Sequence, residues 1–133
     1  MQIRRITVGR EPILLLDPEM DRAAELATHL ELSGFPTRIE RTRAGAQAAI
    51  KGAYFATLIV IADLDDKACL DWLDELRRAA ARSWMIVVCP RCDAKTCNRI
   101  YRHGGDACVP APVSVNELTT RLTAFQSRAR PLY

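Results

Sequence analysis

A three-layer, doubly wound α/β sandwich around a five-stranded parallel sheet is the fold class this sequence predicts. Three observations carry it. Short apolar runs alternate with stretches of helical periodicity along the whole chain. The runs are apolar at nearly every position, which marks strands of a parallel sheet covered on both faces. Right-handed crossovers then place helices on both sides of that sheet. A length of 133 residues fits one domain with one core.

The elements follow in order. "PILLLD" (12–17) reads as a buried strand. Asp17-Pro18 reads as N-cap and first residue of a helix with Met20, Ala23, Ala27 and Leu30 on one face, stopped at Gly34. "TRIE" (37–40) is a weaker, partly exposed strand. Thr42 caps a short helix through "AGAQAAI" that ends at Gly52. "TLIVIA" (57–62) is the third strand, and "CLDWLDELRRAA" is a helix presenting Leu70, Leu73 and Leu76. "WMIVVC" (84–89) is the fourth strand. Asp93 caps "AKTCNRIYRH", which Gly104-Gly105 ends. "ACV" (107–109) is the fifth strand. Ser114 and Glu117 form a capping box before a last helix that buries Val115, Leu118, Leu122 and Phe125.

Composition narrows the function classes. Hydrophobic residues make up 49% and charged residues 26%, as in a soluble globule. No apolar run is long enough to span a bilayer. "MQIRRITVGREP" is basic but lacks the apolar core of a secretory signal, so the cytoplasm is the expected location. The net charge of +3 is too small and scattered to argue for nucleic acid. The basic residues near the ends, Arg4, Arg5, Arg10, Arg128 and Arg130, read as solvated termini. The chain divides into a basic extension (1–11), one domain (12–127) and a tail (128–133).

In doubly wound folds, sites form at the carboxyl ends of the strands. Those ends are Asp17, Ala62-Asp63, Cys89-Pro90 and Val109-Pro110. "TLIVIADLDDK" stands out, because an apolar strand runs into Asp63, Asp65 and Asp66. These acids read as solvated loop residues, Asp66 capping the next helix. The strand is expected to end near Ala62, with Asp63 at least partly exposed.

From Pro12 to about Ser127, "ILLLDPEM", "HGGDACVPAP" and their spacing resemble the receiver domains of bacterial two-component response regulators. The resemblance implies a flavodoxin-like sheet of order 2-1-3-4-5. It also implies a site in which a pair of acids helps bind Mg²⁺, a strand-end Asp accepts a phosphoryl group, and a Thr or Ser and a Lys-Pro complete the pocket. This chain departs from that pattern. Asp17 matches the first acid, but Pro18 replaces the second, with Glu19 next to it. Ala62 stands at the acceptor position and Asp63 one residue later. Cys89 stands at the Thr/Ser position and Cys108 at the switch aromatic. Ala111 stands at the lysine, before Pro112. Phosphoryl transfer to a carboxylate depends on positioning and on neutralisation by metal and cation, and Ala62 cannot accept the group.

Five cysteines, at 69, 89, 92, 97 and 108, are odd in number, which argues against a secreted disulfide framework. "CPRC" (89–92) allows a redox reading, and with Cys97 part of a metal site. A four-ligand zinc site would have to be completed from His103 and Cys108. The plainer reading makes Cys69, Cys89 and Cys108 small buried hydrophobes. Cys89 and Cys108 should lie on neighbouring strands, so a thiol pair replaces the switch pair of the family.

The expected function is that of a degenerate receiver: non-enzymatic, without cofactor, and acting through protein partners. A homodimer is expected through the 93–127 face, with Asp106, Glu117 and Arg121 as intermolecular ion-pair candidates. No small-molecule substrate, nucleic acid or membrane contact is expected. Two alternatives stand beside it. One is a phosphoacceptor using Asp63, with Mg²⁺ on Asp17 and Glu19. The other is a redox or metal-responsive switch using Cys89, Cys92, Cys97 or Cys108.

Overall fold

A computed structural model describes residues 11–62 and 67–131. Five strands alternate with five helices: β1 (Ile13–Leu16), α1 (Met20–Leu32), β2 (Thr37–Glu40), α2 (Arg43–Gly52), β3 (Thr57–Ile61), α3 (Lys67–Ala79), β4 (Trp84–Cys89), α4 (Ala94–Arg102), β5 (Ala107–Pro110) and α5 (Val115–Gln126). All strand pairs are parallel, and the order is β2-β1-β3-β4-β5. This is the doubly wound sandwich the alternating pattern predicts.

The period of two in the strands builds two cores from one sheet. Ile13 and Leu15 of β1, Ile59 of β3, Ile86 and Val88 of β4 and Val109 of β5 pack under α1 and α5. Leu14, Leu16, Leu58, Val60, Met85, Val87, Cys89 and Cys108 face the other way, under α2, α3 and α4. Ile61 leans on the first core and Ala62 on the second, so these neighbours point to opposite faces.

Helix ends follow the sequence in most places. Thr42, Asp93 and Ser114 accept hydrogen bonds from Gly45 N, Thr96 N and Glu117 N, as their side chains allow. Gly34 and Gly104 take positive φ values of 94° and 101° after α1 and α4, where a side chain would strain the backbone. The start of α1 differs from expectation. Glu19, not Asp17, is the N-cap, and its carboxylate accepts from Asp21 N and Arg22 N. Asp17 is drawn away because it is buried and bonded to an arginine. Met20, expected on the buried face, is 42% exposed, and Leu26 is buried with Ala23, Ala27 and Leu30.

The chain on either side of the core is tied to it. Glu11 and Gln126 exchange two hydrogen bonds, which fasten the entry to β1 onto the end of α5. Of the two tail arginines, Arg128 is exposed, as expected of a solvated charge, while Arg130 is largely covered. Arg128 lies over the Trp84 ring, 5.3 Å from its centroid, and Trp84 stacks on Phe125 at 4.3 Å. Arg130 pairs with Asp106 at 3.0 Å. The basic residues Arg4, Arg5 and Arg10 lie outside the described residues.

Candidate functional site

The carboxyl ends of β1 and β3 flank a cleft of about 340 Å³. β1 delivers Asp17 to its edge, where the residue is 1% exposed. Asp17 Oδ1 accepts from Glu19 N at 3.0 Å, and Arg22 holds the carboxylate through both Nε and Nη2. A two-pronged guanidinium–carboxylate pair of this kind is strong and directional. The same carboxylate holds the Arg22 pKa above its ordinary value. Glu19 spends its carboxylate on capping α1. Ala62 follows the last residue of β3, its N donating to Val88 O at 3.0 Å. Arg41 and Arg43 line the cleft's other side. Arg43 pairs with Glu75 at 2.8 Å on the surface. Asp63, Asp65 and Asp66 lie outside the described residues.

β4 and β5 bring the two positions after the crossover together. Ala111 N donates to Cys89 O at 2.8 Å, and the Ala111–Pro112 bond is cis. Cys89 and Cys108 face the same core, as neighbouring strands should place them, with sulfurs 3.3 Å apart. Cys92 joins them. Its sulfur lies 3.3 Å from Cys89 Sγ and 2.8 Å from Cys108 Sγ. Of the metal-site reading that joined Cys89, Cys92 and Cys97 with His103 or Cys108, the structure brings together Cys89, Cys92 and Cys108. The Cys89 thiol donates to Arg91 O at 3.2 Å within that turn. Burial pushes the Cys89 pKa up to about 11, and burial also raises that of Cys108. Cys69 is half-buried and sits at the cleft rather than in the thiol group. His103 does not approach the thiols, because its Nδ1 lies 3.0 Å from Asp74.

The dimer-face candidates have partners within the chain. Asp106 accepts from Arg77 and Arg130 at 3.0 Å each, with all three side chains less than one-fifth exposed. Its Oδ2 also accepts from Met85 N at 2.9 Å. Asp106 is thus a structural hub rather than a free surface charge. Arg77 extends the hub, donating to the carbonyls of Gly104, Ala80 and Ser83. Burial, and then repulsion from Arg130, lower the Arg77 pKa. Glu117 and Arg121 lie 3.6 Å apart one turn along α5, each 40% exposed. Sequence reasoning missed the Arg22 clamp and the Arg77–Asp106–Arg130 group. For Arg22 a signal exists, an arginine in the first turn after a strand-end acid. For the second group none does, since its members come from three distant segments.

The arrangement is a receiver-type α/β fold, and solved structures share it. The chain matches a two-component response regulator from Clostridium difficile with a TM-score of 0.80 at 17% identity, over 89% of this chain and 97% of that one. It matches an orphan response regulator of H. pylori with a TM-score of 0.75 at 16% identity, over 89% and 98%. It also matches a Burkholderia pseudomallei protein described as pilus assembly-related, with a TM-score of 0.80 at 20% identity, over 98% and 100%. No protein-family model and no curated protein matches the chain. Identities this low establish the receiver fold. Among the described residues, no helix is long and apolar enough to cross a membrane.

Proposed function

We propose that this domain is a degenerate receiver, a non-enzymatic signalling module that acts by protein–protein contact without phosphorylation of an aspartate. The carrying observation is the cleft at the ends of β1 and β3. Ala62 occupies the position that follows the strand, and the buried Asp17 is already neutralised by Arg22. Mg²⁺ takes six oxygen ligands in near-octahedral geometry, generally with one or two carboxylates. The described residues of the cleft offer one carboxylate, Asp17, and Arg22 already engages it. That donor set does not fit the metal. Ala111 likewise leaves out the cation that would balance a bound phosphoryl group.

The output surface in this reading is α4–β5–α5. Tyr101 is 51% exposed on α4, and Glu117 and Arg121 stand on α5. A large aromatic with flanking charges of both signs suits a protein contact, and a second copy of the chain is the partner proposed. The Glu117–Arg121 pair can be exchanged between copies at little cost, because exposed pairs contribute little within one chain.

The pilus assembly-related neighbour covers the chain from end to end, further than the regulators named above. Treatment with beryllofluoride and Mg²⁺, followed by size-exclusion chromatography and heteronuclear spectra, tests the reading. Unchanged spectra and association state are expected; shifts centred on Asp17 and Ala62 would contradict it.

A further inference from the structure

We propose that Cys89, Cys92 and Cys108 form a binding site for a thiophilic d¹⁰ cation, Zn²⁺ above all. Three sulfurs from two adjacent strands and one turn converge within 4.8 Å of one another, and no other group of potential metal ligands among the described residues does so. Cys89 and Cys108 are buried and Cys92 is half-buried, so the site is closed on the protein side and open only along the turn. The two-residue spacer of "CPRC" is the short ligand spacing that thiolate zinc sites use. Sulfurs bonded at about 2.3 Å to a tetrahedral ion lie about 3.8 Å apart. The present separations of 3.3, 3.3 and 2.8 Å reach that value by opening about 0.5, 0.5 and 1.0 Å.

The chemistry favours a soft metal over packing alone. Three thiols in mutual contact have weak donors and acceptors and gain little from one another. On binding, each sulfur forms a bond to the ion as its S–H bond breaks, and the protons leave to solvent. Three thiolates on Zn²⁺ carry a single net negative charge. The hydrogen bond from Cys89 to Arg91 O is given up in the exchange. Zinc bound here would staple the β4–α4 turn to β5, beneath the α4–β5–α5 surface. Nothing in this site draws on the acceptor cleft, so it stands or falls separately from the degenerate-receiver reading.

The test uses the whole chain, reduced and metal-free, titrated with Zn²⁺ against a chromophoric chelator and with Co²⁺ as a spectroscopic probe. One Zn²⁺ per chain is expected, with a thiolate-to-cobalt charge-transfer band and sulfur neighbours at about 2.3 Å by X-ray absorption. Cys92→Ser, in a half-buried turn where folding should survive, is expected to weaken binding by more than about 100-fold, beyond what loss of a supporting group does. Cys69→Ser should leave affinity unchanged. Circular dichroism of each variant separates lost binding from lost folding, and Cys108→Ala supplies a second ligand deletion. Saturation unaffected by Cys92→Ser and Cys108→Ala would overturn the site. So would a reduced chain that ignores Zn²⁺ but forms a Cys92–Cys108 disulfide in air.

Discussion

Arg22 grips Asp17 through two nitrogens, and the buried carboxylate of β1 thereby becomes part of the fold rather than an open ligand. Removing the guanidinium leaves a carboxyl group 1% exposed whose remaining hydrogen bond, among the described residues, comes from the Glu19 amide. Arg22→Ala should therefore lower stability by roughly 1–2 kcal/mol, the cost of an unsatisfied buried acceptor discounted for a partner that is half in solvent. Urea denaturation measures it. Arg22→Lys should recover only part of the loss, because one ammonium cannot span both oxygens. Full recovery by lysine would argue against the two-pronged geometry.

Asp106 holds Arg77 and Arg130 together beneath the tail. Asp106→Asn should cost roughly 2–3 kcal/mol, somewhat below the ~3–5 kcal/mol for breaking a fully buried pair. Arg130→Ala should cost less, since Arg77 still balances the carboxylate. A thermal melt in which Arg130→Ala proves the more damaging variant would show that the tail, not the hub, carries the energy.

Gly104 combines a φ of +101° with a close neighbour. A Cβ there would sit 2.7 Å from Arg77 Cβ. Gly104→Ala should destabilise by about 1–3 kcal/mol, from left-handed strain and displacement of Arg77. Gly52 is the control, because a Cβ there meets nothing within 4 Å. Gly52→Ala should be neutral or slightly stabilising within its helix.

These residues show how far the sequence could be read. The strands and most caps were legible, because strand period, Thr42, Asp93, Ser114 and the glycines act locally; the sheet order was what the resemblance to receiver domains implied. The start of α1 was not, since burial of Asp17 against Arg22 overrides its capping propensity. Ala62 and Ala111 read as departures from the receiver pattern through the resemblance, and the structure puts each just past a strand, β3 and β5. The thiol group was legible in part, as a cysteine cluster whose membership the sequence left open, whereas the Asp106 hub was invisible as a unit. Each joins segments whose proximity exists only after β4 and β5 pair.

Arg121 tests the proposed assembly. Arg121→Glu places two acids one turn apart on α5 and should weaken any dimer formed through α4–β5–α5 by about tenfold, equivalent to ~1.4 kcal/mol. Analytical ultracentrifugation reads the effect. An unchanged association constant would remove Arg121 from the interface.

The most direct measurement is the intact mass of the chain after incubation with acetyl phosphate and Mg²⁺. The described cleft has Ala62 just past β3 and an Asp17 clamped by Arg22. The mass should remain unchanged, in the native chain and in Asp63→Asn alike, with no saturable Mg²⁺ binding at millimolar concentration. A phosphoryl adduct present in the native chain and absent from Asp63→Asn would contradict this, and would show that the acceptor has moved one residue along the chain.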